Sequence, residues 1–204
     1  MSAPIVWLTG QPGSGKTTIA RALKDAGAVE FIIDGDDLRA VQPEGYDERG
    51  RHRNVARAQD IALYLANHGK AVAAAFISPN RAQREWLKAR ARVVEVYLYT
   101  AEDRGKAAYF AAHYEPPAEN CLALDTGSMD VAGCVRAIRA SLNRPRATFI
   151  GRWQPLHLGH DWLFRTALDA CEPVQILVRD MPPDEKNPLT TEQTVEILRA
   201  AYAG

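Results

Sequence analysis

The sequence predicts an α/β fold: a parallel sheet with helices on both faces, followed by a smaller, partial unit of the same class. Three observations predict it. Short apolar, β-prone runs alternate with longer segments of helical character. A glycine-rich loop stands between the first run and the first helix. The alternation breaks at residues 143–146, Asn-Arg-Pro-Arg, and restarts beyond them.

The strands are expected at 5–8, 29–33, 71–77, 93–99 and 122–124, the helices at 16–26, 48–68, 80–90 and 129–142. After the break come a strand at 147–150, a helix at 159–170, a strand at 174–178 and a helix at 191–202. The division is a complete domain over 1–142, a linker over 143–146 and a second, opening domain over 147–204. In such folds ligands sit at the carboxyl ends of the strands.

The 204 residues suffice for one good core or two modest ones. At 47% apolar and 25% charged the chain is globular in composition, and 25 basic residues balance 25 acidic ones. There is therefore no electrostatic case for a nucleic acid or an acidic membrane surface as partner. Cys121, Cys134 and Cys171 are odd in number and lack C-x-x-C spacing, so buried reduced thiols of a cytoplasmic protein are expected. No apolar run approaches about 18 residues and the N-terminus enters a strand directly; neither a membrane span nor a signal peptide is expected.

The chemistry starts at Gly10-Gln11-Pro12-Gly13-Ser14-Gly15-Lys16-Thr17, between the apolar run Ile5–Leu8 and the first helix. Glycines let the backbone curl so that successive N–H groups face an anion, and the helix adds its positive end. Lys16 is placed to reach the β- and γ-phosphates and Thr17 to offer a hydroxyl to Mg²⁺. A nucleoside triphosphate is the expected ligand.

The second strand ends in Ile33-Asp34-Gly35-Asp36-Asp37-Leu38-Arg39. Carboxylates beside a phosphate loop suit metal orientation or acceptance of a hydroxyl proton; the alternative is an acidic turn capping a short helix. Arg39 could hold an anionic acceptor. In the long helix, Val55, Ala58, Ala62 and Leu65 form the buried stripe. Extended backwards, the stripe reaches Arg51 and Asn54, polar groups aimed like the core and so candidates for ligand contact, whereas Arg49 and Arg53 suit a solvated face. Tyr46 could stack on a base or simply pack.

These stretches, with Ala75-Phe76-Ile77-Ser78-Pro79-x-Arg81, resemble the adenylylsulfate (APS) kinases in order over residues 3 to 142. That family implies a P-loop kinase using ATP and Mg²⁺ to phosphorylate the 3′-hydroxyl of APS. The resemblance implies an ATP site at Gly10, Gly13, Ser14, Gly15, Lys16, Thr17 and Thr18, metal at Thr17 and Asp34, and catalysis by Lys16, Asp34 and Asp36. It implies acceptor contacts at Asp36, Arg39, Tyr46, Arg51, Asn54, Ile77 and Ser78. Tyr46 stands where the family has a phenylalanine stacking on the acceptor adenine. Ser78 matches a serine that some members phosphorylate, or is simply a turn residue. The implied partners are small molecules, with a homodimer compatible.

The sequence departs from the family in places. Asp37 replaces the usual asparagine and Ala56 an arginine. The long lysine-rich lid after the fourth strand is shortened to residues 102–117, where Arg104 and Lys106 could neutralise transferred charge or be exposed helix cations. Tyr114-Glu115-x-Pro117 and Leu124-Asp125-Thr126 keep the closing landmarks. The shortening leaves the acceptor open between APS and another small hydroxylated molecule.

Beyond the break, Gly151-Arg152-Trp153-Gln154-Pro155-Leu156-His157-Leu158-Gly159-His160 runs from strand through turn to helix. Both imidazoles can meet a triphosphate at the helix N-terminus; a metal pair is the weaker reading and a plain helix cap the bland one. The string resembles nucleotidylyltransferases related to nicotinamide-mononucleotide adenylyltransferase, which implies nucleotide contacts at Arg152, His157 and His160. Asn187-Pro188-Leu189-Thr190 continues the likeness, but that family's later phosphate-binding helix start does not follow. The unit is expected to be the N-terminal portion of a transferase domain, inactive alone: either the sequence is a fragment of a longer bifunctional protein or this half is a remnant. Two alternatives to an APS kinase are kept: a bifunctional transferase whose kinase half phosphorylates a different metabolite, and a nucleotide sensor without turnover.

Overall fold

The computed structural model describes residues 2–118, 120–143, 147–171 and 174–202. It divides into two compact units, residues 1–142 and 143–204. Three of the four residues expected as a linker, Arg144, Pro145 and Arg146, lie outside the described residues.

In the first unit, β1 (Ile5–Thr9), β2 (Phe31–Asp34), β3 (Val72–Ala75), β4 (Val93–Tyr99) and β5 (Leu122–Asp125) form one parallel sheet in the order β2-β3-β1-β4-β5. Parallel neighbours need crossovers, and the helices supply them: α1 (Lys16–Asp25), α2 (Gly35–Val41), α3 (Glu48–Asn67), α4 (Arg81–Lys88) and α5 (Val131–Leu142). The pleat sorts side chains to two faces. Val6, Leu8, Ala73 and Ala75 pack with Ile19, Leu23, Cys134 and Ile138 of α1 and α5. Ile5, Trp7, Val72 and Ala74 pack with Val55, Ala58, Ala62 and Leu87 of α3 and α4. All five residues of β1 are buried, as a central strand covered on both faces must be. The switch in strand order at β1 opens a crevice at the tips of β1 and its neighbours, where the glycine loop lies.

Element ends differ from expectation for local reasons. The second strand begins at Phe31, not 29, because Glu30 N and Phe31 N both donate to Ala71 O and the ladder opens only there. The third stops at Ala75. Phe76 N still reaches Leu8 O at 3.1 Å, but Ser78 then turns to a left-handed φ of 44°. The helix α2 stands where the sequence left an acidic turn open. In α3 the buried stripe continues through Ala66, and Leu65 sits at its edge. Cys134 is buried, while Cys121 and Cys171 are half-buried; all three are free thiols. Among the described residues no helix is long and apolar enough to cross a membrane.

The second unit pairs β6 (Ala147–Gly151) with β7 (Val174–Val178) in parallel, through α6 (Leu158–Ala170), and adds α7 (Thr191–Tyr202). Its core is aromatic: the rings of Phe149, Trp153 and Tyr202 meet the fully buried Phe164 at 5.5, 4.9 and 5.4 Å. A reciprocal capping box, Gln193 N to Thr190 Oγ1 and Thr190 N to Gln193 Oε1, starts α7.

Candidate active site

The glycine loop is shaped by three positive φ angles, 148° at Gly10, 84° at Gly13 and 88° at Gly15. Gly10 is the tightest: a Cβ there would lie 2.1 Å from Leu98 O. Gly15 is the N-cap of α1 and offers no side chain, so the first amides of α1 are left to an incoming acceptor. Lys16 closes the cradle on itself, its Nζ donating to Gly10 O and Gln11 O at 2.9 Å each and to Ser14 Oγ at 3.3 Å. Burial pulls the ammonium's pKa down to about 8, against the opposing pull of Asp34 and Asp36. Ser14 is buried, whereas Thr18 is exposed on the first turn of α1.

Thr17 and Asp34, expected as metal ligands from different elements, meet: Thr17 Oγ1 donates to Asp34 Oδ2 at 2.7 Å. The other oxygen of Asp34 accepts from Asp36 N at 2.9 Å and caps α2. The acidic turn thus caps a short helix and faces the loop with the same carboxylate. A hydroxyl and a carboxylate are hard oxygen donors, the set Mg²⁺ takes when substrate phosphates supply the rest. Among the described residues no cluster of three or more His, Cys, Asp or Glu could hold a metal alone.

On the neighbouring side, Arg39 Nη1 lies 3.3 Å from both Gly35 O and Asp36 Oδ1, and its guanidinium covers the exposed Tyr46 ring at 4.4 Å. Asn54 is fully buried and donates to Gly35 O at 3.0 Å, joining α3 to the start of α2. Arg51, half-buried one turn earlier, donates to Tyr109 O at 3.4 Å. Ile77 and Ser78 follow β3 at the same end of the sheet; Ile77 O accepts from Thr9 Oγ1 at 2.8 Å. Four buried polar atoms here, Arg39 Nε, Arg51 Nε, Asn54 Oδ1 and Ser78 Oγ, have no partner among the described residues. Orphaned polar atoms are costly in a core and concentrate where a ligand is to be met.

Residues 102–117, expected as a shortened lid, fold onto the glycine loop. Arg104 donates to Gly13 O at 3.0 Å and to Thr126 O at 2.7 Å, so it is no free helix cation. Lys106 packs its stem beside Gly13 and sets its ammonium 5.8 Å from the Tyr109 ring. A cavity of about 310 Å³ lies between loop and lid, lined by Gln11, Tyr97, Tyr99, Arg104, Lys106 and Phe110.

Sequence reasoning missed two parts. Arg84 is buried, with Nε on Glu95 Oε1 at 2.7 Å, Nη1 on Ser78 O at 2.5 Å and Nη2 on Glu115 O at 2.6 Å. It staples the strap around Tyr114 to the turn at Ser78, and Tyr114 Oη meets Thr9 Oγ1 at 2.9 Å. Burial pushes that phenol up to about 12. The signal was Glu95, a lone charge inside an apolar strand. The second part is the Gln11 side chain, whose partner is Ala111.

In the second unit, His157 and His160 stack with ring centroids 3.7 Å apart at the start of α6. His157 Nδ1 accepts from Gly159 N at 3.1 Å, which caps the helix and leaves the neutral ring's proton on Nε2. Burial, then the neighbouring His157, lowers the His160 pKa, and its buried Nδ1 has no partner among the described residues. Arg152 is tied elsewhere, to Asp184 Oδ2 at 2.5 Å and Pro182 O at 2.6 Å. Asp161, the carboxylate next to the pair, is spent on Arg165 and Tyr202.

Comparison with known proteins bears on the first unit. The profile of the family described as adenylylsulphate kinase matches residues 2–119. An adenylyl-sulfate kinase of Shewanella is 32% identical over 161 residues, 66% of this chain and 78% of that protein. The Mycobacterium tuberculosis APS kinase, solved with AMPPNP and APS, superposes with a TM-score of 0.59 over 69% of this chain and 97% of that one. At 24% identity that likeness shows the fold alone. A hexameric APS kinase from Thiobacillus denitrificans gives 0.57 at 26% identity, over 69% of this chain and 29% of that one. The matched residues are those that build the loop, the acidic turn and the strap, and on that ground the chain belongs to the adenylylsulphate kinase family, phosphotransferases that act on a hydroxyl group.

Proposed function

We propose that the first unit transfers the γ-phosphoryl group of ATP to the 3′-hydroxyl of adenylylsulfate. The observation that carries this is the 2.7 Å contact between Thr17 and Asp34 at the mouth of a loop whose lysine rests on its own carbonyls. In this reading Lys16 leaves Gly10 O and Gln11 O for the β- and γ-phosphates, and the amides of Gly13, Gly15 and the first turn, with the Ser14 and Thr18 hydroxyls, hold the rest of the chain of phosphates. Thr17 and Asp34 would hold Mg²⁺, which when bound neutralises charge on the transferring group.

Asp36, exposed beside the loop, takes the acceptor's proton. Arg39 and Arg51 hold the acceptor's anionic group, Tyr46 lies under its base, and Asn54, Ile77 and Ser78 shape the floor. The four orphaned polar atoms support this side of the reading. Catalysis is by positioning and charge neutralisation, with no covalent intermediate.

The test is incubation of the chain with Mg·ATP and adenylylsulfate, read by mass spectrometry for the 3′-phosphorylated product. Lys16→Ala should abolish product. Unchanged turnover in that variant would overturn the mechanism, and product from other hydroxylated metabolites but not from APS would overturn the acceptor.

A second reading concerns residues 147–204, which we propose to be the N-terminal portion of a nucleotidylyltransferase domain in a bifunctional protein. The stacked pair His157 and His160 at a helix N-terminus supports it. Arg152 joins them only after release from Asp184. Pyrophosphate release from NTP and a phosphate monoester tests it. A homodimer and a cytoplasmic location complete the proposal, the first checked by light scattering.

A further inference from the structure

Gln11 holds two things at once. Its carbonyl accepts from the Lys16 ammonium at 2.9 Å and from Ser14 N at 3.2 Å. Its side chain reaches a hundred residues along the chain: Nε2 donates to Ala111 O at 3.0 Å, and Oε1 accepts from Ala111 N at 2.9 Å. A primary amide paired both ways with the backbone of one residue is a two-point clamp that an apolar side chain of similar size cannot reproduce. Ala111 is only 5% exposed, so losing the clamp leaves two peptide groups poorly hydrated.

The clamped segment has other anchors. At its start Arg104 donates to Gly13 O, and near its end Tyr109 O accepts from Arg51 of α3. Residues 104–111 are thus bonded to the glycine loop at both ends and to α3 between them. Moving Lys16 off the Gln11 carbonyl changes the balance at one peptide, and that residue's side chain carries Ala111.

We infer that Gln11 is a positioning residue that couples occupation of the glycine loop to the placement of residues 104–111 and, through Tyr109, of Arg51. The inference rests on the proposed function only where Arg51 is taken to meet the acceptor; the clamp itself does not depend on it. Filling of the loop by nucleotide and affinity for the acceptor then rise together, a coupling of the usual size of about 5- to 150-fold.

The experiment compares the full chain with Gln11→Leu, which keeps the bulk and removes both bonds, and Gln11→Glu, which can still accept from Ala111 N but cannot donate. Amide hydrogen exchange at Ala111 is measured without and with Mg·AMP-PNP, alongside steady-state kinetics with APS. In the parent, Ala111 N–H should exchange slowly, with a rate that shifts when the analogue binds. In Gln11→Leu its exchange should speed up at least about tenfold and no longer respond, and Gln11→Glu should fall between. With Mg·ATP saturating, the APS KM of Gln11→Leu should rise about tenfold, and by reciprocity the ATP KM at saturating APS should rise with it, while kcat moves less than about threefold. Equal Ala111 exchange in parent and Gln11→Leu overturns the inference, as does a fall in kcat with no change in APS KM. If APS is not phosphorylated but Ala111 still answers the analogue in the parent and not in Gln11→Leu, the acceptor assignment falls and the coupling stands.

Discussion

Replacing Arg84 by Met leaves a carboxylate buried. Glu95 is 1% exposed in its side chain and accepts from Arg84 at 2.7 Å and from Lys88 at 2.8 Å. Without the guanidinium, Lys88 still offsets part of the charge, but Ser78 O and Glu115 O lose their donors. Breaking a buried pair costs about 3–5 kcal/mol, and two orphaned carbonyls add about 1 kcal/mol each before local hydration. A total of about 5 kcal/mol for a unit of this size lowers its melting temperature by ~15 °C. Scanning calorimetry measures it, and a double-mutant cycle assigns it. Arg84→Met with Glu95→Leu removes both charges, leaves Lys88 its contact with Glu85 at 2.6 Å, and should return to within about 2 kcal/mol of the parent. A single variant melting within about 2 °C of the parent, or a double variant less stable than either single one, would refute the assignment of this network as a staple.

The lysine of the loop gives a proton-linked prediction. With the Lys16 pKa at about 8 in the free protein, binding of Mg·AMP-PNP at pH 8 should take up about half a proton, read by calorimetry in buffers of different ionisation enthalpy, and near none at pH 6.5. The same shift acts on stability: an unfolded lysine near 10.5 and a folded one near 8 means a cost below pH 8 that fades as pH rises toward 10.5. Gly10→Ala must move backbone, since its Cβ would sit 2.1 Å from Leu98 O at φ 148°; nucleotide affinity should fall about a hundredfold, and an unchanged Kd would show that the approach is relieved elsewhere. The Asp184 carboxyl, held at about 2 by hydrogen bonds from Asn187 and then Arg152, should return toward the ordinary carboxylate range in Asn187→Ala, followed by carboxyl NMR; its stabilising effect is present above pH 4 and lost as pH falls through about 2.

What was legible in the sequence is what is local. The glycine loop, the run of buried strands and the stripe of α3 each carry their signal within a few residues, and Asn54 fell on the buried face because helical spacing carries it there. The fate of a polar group with a distant partner was not legible. Gln11 reads as filler in a glycine loop because Ala111 lies a hundred residues away. Arg84 reads as one more cation on a helix, although Glu95, alone among valines, hinted that something positive must reach it. Arg152 carries the same lesson: its motif suggests a ligand, and nothing in the sequence signals that a carboxylate 32 residues on holds it in the structure.

The place of β1 has a consequence for synthesis. Of the five strands of this sheet the middle one is synthesised first, and both its partners, Val72–Ala75 and Val93–Tyr99, come much later. At ~5–20 residues per second, Ile5–Thr9 waits roughly 5–20 seconds with its apolar side chains and peptide edges exposed. What is written first is therefore finished among the last, and a nascent chain stalled before Val93 would be a natural client for whatever shields bare strands.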